Sequence, residues 1–226
     1  MKNKNFTVAI DGPVGSGKGT LAVALSKKLN ALYIYTGGMY RALTLKCMRE
    51  GVDIRSEEEV LKVLGSTVIE LGPTEYVTKV MLDGKDVSSE IFSQEVAKHT
   101  PIVASHERVR KEMVARQKEL IEDATAIVEG RDIASDVSPD ADLKIYLTAD
   151  LETRAKRRLA QFQKRGVGLS LDEVKKEVLE RDRKDMERQA SPLTVAGDAV
   201  VIDTTNDTIE QTVEKVESKL REKGLI

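Results

Sequence analysis

The stretch Gly12-Pro13-Val14-Gly15-Ser16-Gly17-Lys18-Gly19-Thr20 separates two apolar runs, Phe6–Ile10 before it and the segment from Leu21 after it. Successive backbone N–H groups of such a loop point inward. The helix that follows offers its positive N-terminus, and the two together bind polyphosphate oxygens. Lys18 stands where a lysine reaches the β- and γ-phosphates of a nucleotide. The usual pattern sets Ser or Thr directly after the lysine, but here Gly19 holds that place and the hydroxyl sits on Thr20. A tight strand-to-helix turn would also need glycines for geometry alone. The strand before, the helix after and the lysine in register favour phosphate.

Outward from the loop, Phe6–Ile10 reads as a short buried strand stopped by Asp-Gly-Pro. LAVALSKKLN carries apolar residues at helical spacing, LYIY (32–35) is a second strand, and Gly37-Gly38 breaks the chain before a helix in YRALTLKCMRE. That order begins a parallel α/β sheet. Near residue 64 the pattern changes. STVIEL, YVTKVML and DGKDVS read as short antiparallel strands with turns at Gly72-Pro73 and Asp83-Gly84. A helix from about Ser93 completes an insert of about residues 64–100, and two further helical stretches flank Pro101. The α/β rhythm resumes with strands at 125–129 and 143–149, a basic helix, a strand at 199–203 and a terminal helix. The expected fold is α/β, a three-layer P-loop core on a five-stranded parallel sheet (6–10, 32–35, 125–129, 143–148, 199–202) with a small α+β insert.

The 226 residues suffice for one sizeable core with an insert. Apolar residues at 40% and charged residues at 33% describe a globular chain with a heavily solvated surface. With aromatics at 4% and no Trp, the core must rest on Leu, Val, Ile and Ala. A net charge of −2 gives no global field to attract nucleic acid or an anionic membrane, so anion binding must be local. Cys47 alone excludes an internal disulfide and a Cys-rich metal cluster, and fits a reducing cytosol. No apolar run approaches signal or membrane length, so a cytoplasmic location is expected. A monomer is expected too, because no long exposed apolar face is evident.

A P-loop alone does not choose among kinases, GTPase switches and motor ATPases. The Asn-Lys-x-Asp base-reading motif of GTPases is missing, and TTND at 204–207 does not match it. Arginine placement says more. Arg41 opens the helix after Gly37-Gly38, and Arg131 follows strand TAIVE inside EGRD. Arg181, Asp185 and Arg188 are spaced to share one face of a helix. Arginines at strand and helix ends suit an acceptor that is itself an anion. Such an acceptor needs no general base. It needs positive charge to bring two anions together, which bidentate guanidinium groups supply well.

GPVGSGKGT, TGGMYRA, DGKDVSSEI, RVR, EGRDI and ERDRKDMER-QASPL, in this order and spacing, resemble the bacterial CMP (cytidylate) kinase family over nearly the whole chain. The resemblance implies transfer of the γ-phosphoryl group of ATP to CMP or dCMP, with Gly12–Thr20 as the ATP loop. Mg²⁺ would be held mainly by phosphates and water, with Thr20 the nearest side-chain candidate. Arg41 and Arg131 would hold the acceptor phosphate. Thr36, Arg110, Asp132 and Arg188 would line the base pocket, and Arg181 and Asp185 would meet the sugar. A carboxylate at Asp132 accepts from the exocyclic amino group of cytosine, where uracil offers only an oxygen. UMP is then the poorer substrate by ~1–3 kcal/mol. TRAKRRLAQFQKRGVG would be a lid over ATP, with Gly166 and Gly168 as hinges. Its Arg154, Arg157, Arg158 and Arg165 would approach the transferring group, and Arg158 and Arg165 would join Lys18 and Arg131 in catalysis. By this reading the core spans about 1–35, 101–150 and 190–226, the acceptor region about 36–100 and the lid about 151–189.

Four positions depart from the family pattern. Tyr35 stands for the usual Asp, Gly38 for Ala, Ala134 for Gly, and Pro101 for a Ser near the sugar. The choice between ribose and deoxyribose stays open. Two rival readings also stand at this point: a kinase for another small acceptor (UMP, dephospho-coenzyme A or shikimate), and a non-enzymatic ATP-binding switch, which would have no need of a second anion site.

Overall fold

The computed structural model describes residues 5–72, 79–122 and 124–226. The chain runs from β1 (Thr7–Asp11) through the glycine loop into α1 (Lys18–Leu29), β2 (Leu32–Tyr35), α2 (Thr36–Glu50) and α3 (Glu57–Gly65). A small antiparallel sheet follows: β3 (Ile69–Leu71), β4 (Val80–Leu82) and β5 (Lys85–Asp86). Then come α4 (Gln94–Val103), α5 (Glu107–Glu119), β6 (Ala126–Glu129), β7 (Leu143–Thr148), α6 (Leu151–Gln163), α7 (Leu171–Glu187), β8 (Val200–Asp203) and α8 (Ile209–Glu222). Part of the strand expected over 76–82, and Pro73 of the expected Gly72-Pro73 turn, lie outside the described residues.

β1, β2, β6, β7 and β8 form one parallel sheet in the order β2-β6-β1-β7-β8, the five-stranded core expected. Every residue of β1 is buried, as in a parallel strand covered on both faces. Val8 and Ile10 pack with Leu21 and Leu25 of α1 and Val216 and Leu220 of α8. Ala9 faces the opposite layer, with Ile34, Val128 and Ile133. From β1 the sheet extends to β6 and β2 on one side and to β7 and β8 on the other. The crevice at this switch point opens at the C-terminal ends of the strands, where the glycine loop and the EGRD segment emerge. No helix of the described residues is long and apolar enough to cross a membrane.

Three local expectations need correction. α2 starts at Thr36 and contains both glycines instead of following them. Here glycine answers to contact: a Cβ on Gly38 would lie 2.5 Å from Tyr35 Cδ1, so the ring of Tyr35 occupies the space an alanine methyl would take. The departures at 35 and 38 are therefore one coupled change. α3 was not expected, although Ser56 caps it by accepting from the Glu59 amide at 3.4 Å and three glutamates in its first turn complement the helix dipole. Finally, α4 runs through Pro101 in place of breaking there. The proline sits in the last turn, and the Thr100 hydroxyl donates to the Val96 carbonyl at 2.6 Å.

Candidate active site

The glycine loop, the EGRD segment, α2, α4, α5 and the α6–α7 pair enclose a cavity of about 890 Å³. Residues Val14–Thr20 line it; Gly12 and Pro13 lie behind, and their carbonyls each accept from Lys18 Nζ at 2.8 Å. Gly17, left-handed at φ 98°, precedes α1, and no side chain caps that helix. Its first turn keeps amides available for an anion. Burial, with Arg131 close by, pushes the Lys18 amine down to about 7, against the pull of Glu129 and Asp11. The Glu129 carboxylate lies beside Gly19, where a Cβ would come 3.1 Å from Oε1, and Tyr33 donates its phenol to the same oxygen at 2.5 Å.

Facing the loop, two aspartates each bridge two arginines. Asp132 pairs with Arg110 through one oxygen and lies 3.5 Å from Arg188 Nη2 through the other. Asp185 Oδ2 accepts from Arg131 Nε at 2.8 Å and from Arg181 Nε at 3.3 Å. Burial alone would raise the Asp185 carboxyl, but Arg131 and Arg181 outweigh it and hold it at about 2. Four guanidinium groups against two carboxylates leave a positive surplus on this wall. The pairs also fix the planes of the guanidinium forks. Tyr40 Oη, Arg110 Nε and Arg188 Nη2 are buried without a hydrogen-bond partner among the described residues, the last keeping only its longer ion pair with Asp132. Thr36 lines the cavity, its hydroxyl donating to the Glu129 carbonyl at 2.7 Å, and Arg41 donates to the Ile91 carbonyl at 3.0 Å. Arg188 is not on the helical face of Arg181 and Asp185, because α7 ends at Glu187 and Arg188 is extended (φ −62°, ψ 142°). It reaches the cavity from the helix end, tethered by Nε to the Ser191 carbonyl at 2.6 Å.

The basic helix and the turn after it divide into arginines that brace the glycine loop and arginines that line the cavity. Arg154 pairs with Asp182 and donates to the Val14 carbonyl at 3.1 Å, and Asp182 accepts from the Val14 amide at 3.1 Å. Arg157 donates to the Thr204 carbonyl at 2.7 Å and the Ser16 carbonyl at 3.3 Å. Both therefore brace the glycine loop. Arg158 and Arg165 line the cavity. Arg158 pairs with Glu177 at 3.2 Å, whereas the guanidinium of Arg165 rests over Phe92, 4.5 Å from the ring centroid.

Four residues here were not singled out in the sequence. Asp182 is one, identifiable only once α7 is seen to touch the loop. Asp11 is another: its buried carboxylate accepts from the Ile133 and Ala134 amides at 2.9 and 2.8 Å, tying β1 to the segment bearing Arg131 and Asp132. Burial raises that carboxyl to about 6. Tyr33 and Glu129 complete the set. The signal for Asp11, Tyr33 and Glu129 was an ionisable or phenolic group inside an apolar strand, or at its end; Asp182, inside a charged helix, had none.

A parallel α/β core with a phosphate-binding loop at its switch point, and an arginine-rich second site across one cavity, defines the class of P-loop phosphotransferases. Residues 8–222 match the family described as cytidylate kinase. A cytidylate kinase of Bacillus cereus is 43% identical over 216 residues, covering 96% of either chain. One of Bacillus thuringiensis is 42% identical over 214 residues, covering 95% of either. The chain belongs to the cytidylate kinase family. Among solved structures, an uncharacterized protein from Eubacterium ventriosum superimposes with TM-score 0.51 at 12% identity, covering 97% of this chain and 99% of that one, a likeness of fold alone.

Proposed function

We propose that this protein transfers the γ-phosphoryl group of ATP to CMP or dCMP, giving ADP and CDP or dCDP by in-line displacement. One observation carries the reading: two aspartate-bridged arginine pairs face the glycine loop across a single cavity. An acceptor phosphate oxygen, already anionic, attacks the γ-phosphorus, and the bond to the β-bridging oxygen breaks. The work left to the protein is alignment and charge. Lys18 follows the β/γ oxygens, Arg41 and Arg131 take the acceptor phosphate, and Arg158 and Arg165 approach the transferring group from the lid. Thr36, Arg110, Asp132 and Arg188 read the base; Arg181 and Asp185 take the sugar. Asp132 uses one lone pair on each arginine and keeps others for the cytosine amino group.

Residues 36–100 serve in this scheme as the acceptor-binding part, 151–189 as the lid and the remainder as the core. Mg²⁺ fits the donor set in a limited way. No group of three or more His, Cys, Asp or Glu among the described residues is disposed to hold a metal. Glu129 beside Gly19 and the exposed Thr20 hydroxyl supply hard oxygens, so phosphates and water would complete the shell. When bound, Mg²⁺ would neutralise charge on the β- and γ-oxygens. The chain works in the cytoplasm as a monomer in this reading.

The test is a coupled ADP-release assay across nucleoside monophosphates. CMP and dCMP should turn over fastest, with UMP slower by about tenfold to a hundredfold. Equal rates with CMP, UMP and AMP would point to another acceptor, and no ADP release at saturating ATP and CMP would support a switch.

A further inference from the structure

An aromatic column rises from the sheet to the lid. Tyr33, whose phenol is bonded to Glu129 beside the glycine loop, stacks with Tyr35 at 6.4 Å between ring centroids and 21° between planes. Tyr35 stacks in turn with Phe92 at 6.0 Å and 13°. Phe92, in the short helical turn after β5, carries two cations: Arg41 of α2 at 5.4 Å and Arg165, just past α6, at 4.5 Å. No carboxylate supports either guanidinium among the described residues. Arg41 has one backbone carbonyl, and the charges around Arg165 include Arg158 and Arg41, both repelling it. Two like charges are thus gathered on a ring that attracts each of them without neutralising it. A carboxylate at this point would consume the positive charge needed by incoming phosphate. A phenyl ring leaves it whole.

We propose that Phe92 is a positioning residue that holds Arg41, on the acceptor side, and Arg165, on the lid, at the spacing that spans the two phosphates. Tyr35 is its support, and Gly38 is small so that Tyr35 can lie there. The proposal rests on the kinase reading for its substrates but not for its geometry. The lid meets the acceptor region through the face of an aromatic ring, so the strength of closure follows the ring's electron density.

Fluorination removes that density with little change of size. With 4-fluoro-, 3,5-difluoro- and 3,4,5-trifluorophenylalanine at 92, kcat/KM for CMP should fall stepwise, to about a tenth at the end of the series. Phe92→Leu should match the last member, and Phe92→Tyr should restore most of the rate. A flat series with an active parent protein overturns the proposal, since a packing role would not respond to fluorine. The chain contains no Trp, so Phe92→Trp makes a single emitter. Its emission should change on addition of ATP, whichever acceptor the protein uses. Emission indifferent to saturating ATP also overturns the proposal. A parent inactive with CMP but responsive in this assay would instead refute only the choice of acceptor.

Discussion

The two walls of the cavity hold their cations by different means. On the acceptor wall, Arg110, Arg188, Arg131 and Arg181 are anchored by Asp132 and Asp185. On the phosphate path, Lys18 leans on the carbonyls of Gly12 and Pro13, Arg41 on that of Ile91, and Arg41 and Arg165 on Phe92; Arg158 is the exception, paired with Glu177. Carboxylate anchors give fixed direction and consume charge, which suits reading a base and a sugar and aiming Arg131 at the acceptor phosphate. Dipole and ring anchors leave charge unspent, which suits a polyphosphate and the charge of its transition state. On the proposed reading the walls have separate tasks, and each can be disturbed without the other.

The largest effect should come from the phosphate path. Lys18→Met keeps most of the side-chain volume and removes the buried charge. Its kcat/KM should fall about a thousandfold, while CMP binding, measured by calorimetry without ATP, stays within about threefold. Loss of CMP affinity on the same scale as the rate would show that the walls are one unit.

On the acceptor wall the discrimination between bases should largely disappear. Asp132→Asn gives the base pocket a donor where uracil has an oxygen, and weakens the acceptor offered to cytosine. The CMP-to-UMP ratio of kcat/KM should drop by about thirtyfold, with the KM for ATP nearly constant. An unchanged ratio would take Asp132 out of base reading.

Much of this division was legible beforehand. The strand order around GPVGSGKGT placed the sheet, and the spacing of EGRD from ERDRKDMER anticipated that their arginines share one cavity with the glycine loop, because glycine, proline and buried-strand patterns are local signals. Partnership was not legible. Nothing in the sequence says that Asp185 bridges Arg131 and Arg181, or that Arg154 braces Val14 instead of facing phosphate. Such facts depend on which elements pack together. Arg188 was placed on a helix that ends one residue short of it, and Gly37-Gly38 passed for a breaker because the direction in which the neighbouring Tyr35 ring folds back over them is set by packing and not by residue pattern.

Asp182 tests a smaller coupling between the walls. It sits on α7 three residues before Asp185, yet it holds the glycine loop through Val14 and Arg154. Asp182→Asn keeps a hydrogen-bonding shape and loses the charge paired to Arg154. The KM for ATP should rise about fivefold, with the KM for CMP within about twofold. A matching rise in both would mean that α7 transmits the change to Asp185, and the walls would be less separate than their anchors suggest.

The smallest signal is a proton. With its amine held down to about 7 by burial and by Arg131, Lys18 is mostly neutral at pH 8. Polyphosphate beside it favours the charged form, so ATP binding should draw in on the order of one proton. The acceptor wall should draw none at that pH. Asp185 sits near 2, the arginines are protonated throughout, and a nucleotide phosphate with a second pKa of about 6 is already ionised. Calorimetry at pH 8 in buffers of unlike ionisation enthalpy reads this directly. The apparent heat of ATP binding should vary with the buffer, and that of CMP binding should not. At pH 6, where Lys18 is already charged, the buffer dependence for ATP should largely vanish, apart from protons released by the nucleotide itself. Equal proton uptake for ATP and CMP at pH 8 would break the contrast between the walls at its physical root, the unspent charge on the phosphate path.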